Sequence, residues 1–395
     1  MIDTADVRQE FYVYDEEQLA TLCEQLRGSP WLAVDTEFLR EKTYYPKLCL
    51  LQIANDKVIA CVDPLRIADL SPLLDILFDE NSVKILHSAR QDYEIFFHLT
   101  GRLPAPVFDT QVAAAICRGD EQISYAALVE QVVGKTLEKD CTRTDWTQRP
   151  LSDQQLNYAQ DDVRYLGEIY QQQLAEMQKR GVANWHEAEC AVLIEAATYQ
   201  AMPQNMWLRV KESRRMRPSH LPVLQLLTAW REEQAIKRDK PRKWVLRDDV
   251  IVELVRRQPE SGEDLRNIKG VSENFLTRHE QTVLSLIQQA KQLPKDKWPT
   301  LPKRVKRSIE DEAMEDVMMA LIRKCAMDHG VASSILGGRK DLEALLDGNS
   351  SCRFLHGWRY EAIGKTLQDF LHGDITVTVE SDHLKIEQAV FPTVS

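Results

Sequence analysis

This sequence of 395 residues lacks the marks of a membrane or secreted protein. No run approaches the roughly 18 to 20 apolar residues that a membrane helix needs. The first residues, Met-Ile-Asp-Thr-Ala-Asp, hold neither the basic nor the apolar segment of a signal peptide. The eight cysteines are scattered and include no Cys-x-x-Cys pair, which argues against a disulfide framework and a zinc site. We therefore expect a cytoplasmic protein with reduced thiols and no membrane contact.

The charge is unevenly distributed along the chain. The net charge of -11 argues at first against a nucleic-acid partner. Residues 209–247, however, hold twelve Lys or Arg against four acids, whereas residues 308–395 hold eight against fifteen. Binding to a nucleic acid releases counterions from its phosphates, and this release depends on the protein charges at the contact surface and not on the net charge of the chain. One basic segment is therefore compatible with a polyanionic partner.

The pattern of the chain divides it into several regions. A chain of this length is too long for one ordinary core, so two or three domains are expected. Strand-like and helix-like segments alternate over the first two hundred residues, which indicates an α/β domain. Short amphipathic helices follow, and three prolines within 294–302 indicate a linker. The predicted divisions are an α/β domain at 1–203, helical modules at 210–294 and 300–372, and a loose tail at 373–395.

The segment Leu32-Ala-Val-Asp35-Thr-Glu37-Phe places two acids on an otherwise apolar strand. Side chains alternate along a strand, so Asp35 and Glu37 point to the same face. Two neighbouring carboxylates there are costly unless a cation lies between them, and all-oxygen ligands favour Mg²⁺ or Mn²⁺. The alternative is a strand end that carries two solvated acids.

Two further segments carry similar chemistry. Tyr158 and Asp162 are four residues apart on a predicted helix and share one face, where they could hold a metal ion and an attacking water. Asp161 points away and is better explained as a solvated or capping acid. Asp92 lies in the first turn of another predicted helix, where an acid often serves only to complement the helix dipole.

The combination of these segments resembles a known family. Its order is Asp-x-Glu on an early strand, Asp at the start of a middle helix and Tyr-x-x-x-Asp on a late helix. This order resembles the DEDDy branch of the DEDD exonuclease superfamily, and within it the ribonuclease D family. The resemblance covers about residues 10–200 and includes the stretches Asp35-Thr-Glu-Phe38, Tyr44-Tyr-Pro46, Leu50-Leu-Gln52, Phe108-Asp-Thr-Gln111, Thr144-Asp-Trp146 and Arg149-Pro-Leu151.

The resemblance implies a ribonuclease-H-like domain, a mixed sheet flanked by helices, that hydrolyses RNA from its 3′ end. It also implies two divalent ions, Mg²⁺ or Mn²⁺, and nucleoside 5′-monophosphates as products. Asp35 would bridge both ions. Glu37 and Asp162 would hold the ion nearer the attacking water, and Asp92 would reach the other. Tyr158 would orient that water or help to deprotonate it.

The helical half resembles another family. Leu224-Gln-Leu-Leu-Thr-Ala-Trp230, the basic stretch that follows it, and Ile268-Lys-Gly270-Val271 resemble the helicase-and-RNase-D C-terminal (HRDC) domain, a small all-α bundle. The module after residue 302 is similar to a second, more diverged copy. An exonuclease domain with two such modules implies structured RNA as the substrate, in particular tRNA precursors with 3′ extensions. Nothing in this layout requires assembly, so we expect a monomer.

Other residues are weaker candidates for substrate contact. These are Gln52, His87, Arg143, Arg149, Arg242 and Lys243. Tyr44 and Tyr45 either stack on a base or pack under the sheet edge. Asp109 is expected to give structural support, and Trp146 is expected in the core.

Two other functions compete with the exoribonuclease. One is a single-stranded DNA exonuclease, because the same set of acids hydrolyses either polymer. HRDC domains also occur in DNA helicases, which is compatible with a DNA substrate. A nucleic-acid-binding scaffold with an idle catalytic fold is the other alternative. A missing carboxylate would favour the scaffold, and none is missing here.

Overall fold

The computed structural model describes residues 8–137, 144–301 and 307–389. These residues divide into two compact units. The first unit holds residues 8–37, 48–198 and 307–389, and the second holds Phe38–Lys47 with residues 199–301. Within the described residues, no helix is both long and apolar enough to span a membrane.

A mixed six-stranded sheet is the centre of the first unit. Its strands are β1 (Gln9–Val13), β2 (Trp31–Leu39), β3 (Lys47–Ala54), β4 (Val58–Val62), β5 (Val83–Leu86) and β6 (Val107–Asp109). They lie in the order β1-β4-β3-β2-β5-β6. The pairs β1–β4, β2–β5 and β5–β6 are parallel, and β3–β4 is antiparallel. The expected mixed sheet is therefore confirmed, and the strand with the two acids lies near its middle.

Helices alternate with these strands or follow them along the chain. They are α1 (Glu16–Leu26), α2 (Ser71–Leu77), α3 (Arg90–Thr100), α4 (Thr110–Arg118), α5 (Tyr125–Val133), α6 (Asp153–Arg164), α7 (Leu166–Arg180) and α8 (Ala183–Ala191). Every residue of β4 and nearly every residue of β3 is buried, as expected for strands covered on both faces. Tyr165 separates α6 from α7.

The second unit is a bundle of short helices. They are α9 (Leu221–Lys237), α10 (Arg242–Val245), α11 (Asp248–Arg257), α12 (Gly262–Arg266) and α13 (Glu273–Gln292). Apolar side chains from α9, α11 and α13 form its core, with Trp230 among them. Trp244 on α10, in contrast, is 62% exposed.

The C-terminal region is also helical and belongs to the first unit. Its helices are α14 (Ile309–His329), α15 (Ser333–Leu336), α16 (Arg339–Leu346), α17 (Gly357–Arg359) and α18 (Lys365–His372). The expectation of a loose tail was wrong, because β7 (Ile375–Glu380) and β8 (His383–Gln388) form an antiparallel hairpin. Ser381 and Asp382, both with positive φ, make the two-residue turn that such hairpins favour.

The C-terminal helices share a hydrophobic core with the six-stranded sheet and its helices. Met318, Leu321 and Phe354 lie in the same buried cluster as Ile85 and Phe108 of the sheet. This region is therefore not an independent module in its packing.

Polar and aromatic contacts add to that shared core. The rings of Trp185 and Trp358 stack with their centroids 4.4 Å apart. Arg359 forms an ion pair with Glu189 at 2.6 Å and donates to the carbonyl groups of Ile335 and Leu336. These contacts make the stability of the six-stranded sheet and its helices depend on the C-terminal region.

We expect Arg359→Ala to lower the free energy of unfolding of the first unit by about 3 kcal/mol, because it leaves the largely buried Glu189 without its partner. Thermal unfolding monitored by circular dichroism measures this loss. The control is Arg353→Ala, which removes a more exposed pair with Asp341 inside the C-terminal region and should cost less than about 1 kcal/mol. Equal losses in both variants would contradict the dependence.

Candidate active site

Three carboxylates meet where β2 faces α6. One oxygen from each of Asp35, Glu37 and Asp162 lies within 4.8 Å of the other two. Asp35 and Glu37 share one face of β2, as the alternation predicted, whereas the intervening Thr36 is buried on the other face. Helix α6 starts at a capping box of Ser152 and Gln155, which fixes where Asp162 falls on the helix. The long-range pairing of strand and helix thus brings the predicted acids together.

Asp92 is the fourth acid and lies beside this group. It is buried in the first turn of α3, and its carboxylate accepts a hydrogen bond from the Thr36 hydroxyl at 2.5 Å. The turn before α3 is held by Asp109, whose carboxylate accepts from the backbone N–H groups of Ser88 and Ala89. This is the structural support expected of Asp109. Thr36 was missed by the sequence analysis, because nothing local links it to a residue 56 positions away.

Burial disfavours the charged forms of all four acids, and the charges of the other site acids add to this at Asp35 and Glu37. Burial raises the pKa of Asp35 well above its usual range, and the charges of the other acids add to this. Burial, with the charges of Asp162 and Asp92, raises the pKa of Glu37 to about 8. Burial raises the pKa of Asp92 and of Asp162 to about 7. Several protons are therefore bound near neutral pH unless a cation replaces them.

The donor set fits a hard divalent cation. It consists of carboxylate oxygens, which Mg²⁺ and Mn²⁺ prefer, and the group contains no sulfur or imidazole donor of the kind that zinc sites use. Asp35, Glu37 and Asp162 are close enough to hold one ion together. Asp92 is not part of this group of three, but its charge acts on Asp35 and Glu37.

Tyr158 lies on the same helix as Asp162, one turn earlier. Its ring packs beside Trp146, with centroids 6.2 Å apart, and Trp146 is buried as expected. Asp161 forms an ion pair with Arg164 at 2.7 Å, and Arg164 also pairs with Glu10. Asp161 is thus a surface-pairing acid outside the group of four.

Two weaker candidates have different surroundings. Gln52 is fully buried, and neither polar atom of its amide has a hydrogen-bond partner among the described residues. It faces the same side of the sheet as Cys61, its cross-strand partner, and remains a candidate contact. Both ring nitrogens of His87 contact protein groups, the Thr110 hydroxyl at 2.9 Å and the Ile123 carbonyl at 3.0 Å. These contacts favour a structural role for His87.

Arg149 is also engaged within the protein. Its guanidinium forms a bidentate pair with Asp63 and donates to the carbonyl groups of Cys49 and Trp146. All its nitrogens therefore have acceptors in the fold, which favours structure over the predicted substrate contact. Arg143 lies outside the described residues.

The remaining candidates belong to the second unit. Arg242 pairs with the buried Glu232 at 3.1 Å, so it serves the interior of the unit rather than a free surface. Lys243 lines a surface cleft. The Tyr44 hydroxyl donates to Glu232 at 2.6 Å and its backbone N–H donates to Asp239, and its stacking on a base stays a prediction.

Comparison with known proteins agrees with this geometry. A family model described as 3′-5′ exonuclease matches residues 11–178, and the HRDC domain model matches residues 220–287. Ribonuclease D of Bartonella henselae is 34% identical over 92% of this chain and 90% of its own, and that of Sphingobium indicum is 35% identical over 95% and 97%. The crystal structure of Escherichia coli RNase D, an exoribonuclease involved in structured RNA processing, superposes with a TM-score of 0.82. It is 32% identical and covers 92% of this chain and 99% of that one.

The chain belongs to the ribonuclease D family. It is a hydrolytic 3′→5′ exoribonuclease that acts on RNA, and its exonuclease family depends on divalent metal. The predicted family, exonuclease domain and first HRDC domain are therefore confirmed. A second HRDC copy at 300–372 stays a prediction.

The raised pKa values predict how the metal-free protein responds to pH. Between the ordinary carboxyl pKa near 4 and the raised values of about 7 to 8, the folded state binds more protons than the unfolded state. The free energy of unfolding should therefore fall as the pH rises through this interval. At pH 8, Mn²⁺ at about a hundred times its Kd should raise the melting temperature by roughly 5 to 10 °C, and by much less at pH 5.

Differential scanning calorimetry with EDTA or Mn²⁺ at the two pH values measures this effect. Asp162→Asn serves as the control, since it removes one ligand and should shrink the Mn²⁺ shift at pH 8. A metal-free melting temperature that rises between pH 5 and pH 8, or an equal Mn²⁺ shift at both, would contradict the assignment.

Proposed function

We propose that this exoribonuclease uses two divalent metal ions to trim the 3′ ends of structured RNA, in particular tRNA precursors with 3′ extensions. Each cycle adds water to the last phosphodiester and breaks its P–O3′ bond. The products are a nucleoside 5′-monophosphate and an RNA one residue shorter with a free 3′ hydroxyl. The observation that carries this proposal is the meeting of three acids within 4.8 Å, with Asp92 beside them, on a ribonuclease D fold.

Each of the five residues has a proposed role. Asp35, Glu37 and Asp162 would hold one ion, and Asp35 and Asp92 would hold the other. Bound ions would supply Lewis acidity for the attacking water and for the leaving 3′ oxygen. The Tyr158 hydroxyl, on the face of α6 that carries Asp162, orients the water. An unperturbed phenol pKa of about 10 makes tyrosine a poor base alone, so orientation is its main contribution.

A basic cleft in the second unit supports a structured substrate. The cleft measures about 480 Å³ and lies between the α9–α10 turn and the start of α13. Its charged lining is basic: Arg238, Lys240, Lys243, Arg247 and Arg278. The exposed ring of Trp244 lies at its edge and offers a stacking surface. Such a surface can hold the backbone of an RNA body while its 3′ end is shortened elsewhere.

The remaining parts of the proposal concern the state of the enzyme in the cell. The seven cysteines of the described residues are all unpaired, and most are buried, which fits a reducing cytoplasm. A monomer is proposed because the acids of the site all come from one chain.

A 5′-labelled tRNA with a short 3′ extension tests the catalytic part. The native enzyme with Mg²⁺ should shorten it stepwise from the 3′ end, and EDTA or Asp162→Asn should lower the rate by at least about a thousandfold, since the carboxylate ligand is lost. Asp161→Asn is the matched control, because the neighbouring carboxylate pairs with Arg164 and should retain a rate within about threefold. Intact RNA with the native enzyme, or an active Asp162→Asn, would contradict the proposal.

The cleft makes a separate prediction. Lys243→Glu reverses a charge in the cleft, and we expect it to raise KM for the extended tRNA about five- to tenfold while kcat on a short oligonucleotide stays nearly unchanged. Lys295→Glu is the control, since it makes the same charge change on an exposed turn outside the cleft. Arg242 is unsuitable for this test because of its bond to the buried Glu232. Equal losses on both substrates, or in both variants, would remove the cleft from substrate binding.

A further inference from the structure

The break between α6 and α7 adjoins the metal-binding acid Asp162. Helix α6 ends at Arg164 and α7 starts at Leu166, so Tyr165 alone separates them. Residues 153–179 hold no proline, and the glycine nearest the break, Gly167, lies two residues after Tyr165 against the ring of Trp31. A sharp break without proline commonly has a side chain inserted between the hydrogen-bonded groups of the helix.

The hydroxyl of Tyr125 makes that contact. It donates to the Asp161 carbonyl at 3.0 Å and accepts the backbone N–H of Tyr165 at 3.2 Å. In a continuous helix this carbonyl and this N–H, four residues apart, bond to each other. The hydroxyl thus stands between the two groups that close the turn containing Asp162.

Tyr125 is itself fixed by neighbours on other elements. It is the first residue of α5, and Ser124 caps that helix by accepting from the N–H of Ala127. Just before it, the Ile123 carbonyl accepts a hydrogen bond from Gln111 at 2.9 Å and contacts His87 at 3.0 Å. The rings of His87 and Tyr125 lie 5.6 Å apart. A rigid support therefore carries the hydroxyl to the backbone of α6.

We propose that Tyr125 is a positioning residue of the exonuclease, whose hydroxyl sets the direction in which the last turn of α6 presents Asp162. This proposal rests on the proposed function, because Tyr125 can act as a positioning residue only if Asp162 is a metal ligand. It also gives His87 a purpose, because this residue supports Tyr125 instead of touching RNA. The five residues named for catalysis do not include Tyr125.

Tyr125→Phe tests the proposal, because it removes one oxygen and keeps the ring. Without the hydroxyl, the Asp161 carbonyl and the Tyr165 N–H can bond to each other, and Asp162 moves relative to Asp35 and Glu37. Mn²⁺ affinity, measured by isothermal titration calorimetry without RNA, should fall about tenfold. On a short single-stranded RNA, kcat should fall about tenfold while KM stays within about twofold.

Tyr12→Phe is the matched control. It removes a hydroxyl that donates to Asp63 at 2.6 Å in the same unit, and this bond involves none of the four site acids. It should lower thermal stability to a similar extent and leave Mn²⁺ affinity and kcat within about twofold. Asp162→Asn shows how much of the Mn²⁺ signal comes from this site.

Gln111→Met is a second test variant, for use if Tyr125→Phe folds poorly. It removes one hydrogen bond to the Ile123 carbonyl. It should lower Mn²⁺ affinity and kcat, each by less than Tyr125→Phe does.

The outcomes are distinct. The positioning role would be overturned if Tyr125→Phe had the same Mn²⁺ affinity and the same kcat as Tyr12→Phe. It would also be overturned if Tyr125→Phe raised KM and left kcat unchanged. A native enzyme that binds Mn²⁺ but leaves RNA intact would remove the proposed function. The Mn²⁺ titration would still decide whether Tyr125 places Asp162.

Discussion

The crowding of four acids, Asp92 buried and the other three half-buried, is the constraint on which this structure depends. Removal from water raises the pKa of each acid, and the charges of the neighbouring acids raise the pKa of Asp35 and Glu37 further. A fold that tolerates this must either keep protons on the acids or neutralise them with cations. The acids therefore favour the binding of divalent metal. Their crowding lowers the stability of the metal-free fold, and hydrogen bonds from neighbouring residues hold them in place.

Those supports come from residues that are not themselves among the five proposed catalytic residues. Thr36 fixes Asp92, Asp109 fixes the turn before α3, and Tyr125 interrupts the helix beside Asp162. The C-terminal helices complete the core beneath the sheet, with Arg359 paired to Glu189. Since this region is acidic and packed into the catalytic unit, it contrasts with the basic cleft of the second unit. The two helical regions therefore make different contributions, one to stability and one to the proposed hold on RNA.

Local patterns in the sequence predicted the elements and the acids, and long-range partners decided the rest. Alternation placed Asp35 and Glu37 on one face, and helical spacing did the same for Tyr158 and Asp162. No local pattern pairs Arg149 with Asp63, 86 residues earlier, or Tyr125 with Asp161, 36 residues later. The resemblance to a family made Arg149 a candidate for substrate contact, but it could not show whether the side chain contacts the substrate or other residues of the protein. Residues 375–379 have a β-prone pattern, but no local pattern showed that a second strand at 383–388 would pair with them.

The central claim is that these acids hold the metal ions that hydrolysis requires. Counting Mn²⁺ ions bound per chain at pH 8, by electron paramagnetic resonance of the free ion during a titration, tests it most directly. The account predicts two ions per native chain, and a loss of tight binding in Asp162→Asn but not in Asp161→Asn. A native chain that binds no Mn²⁺, or the same number of ions at the same affinity in Asp162→Asn, would contradict it.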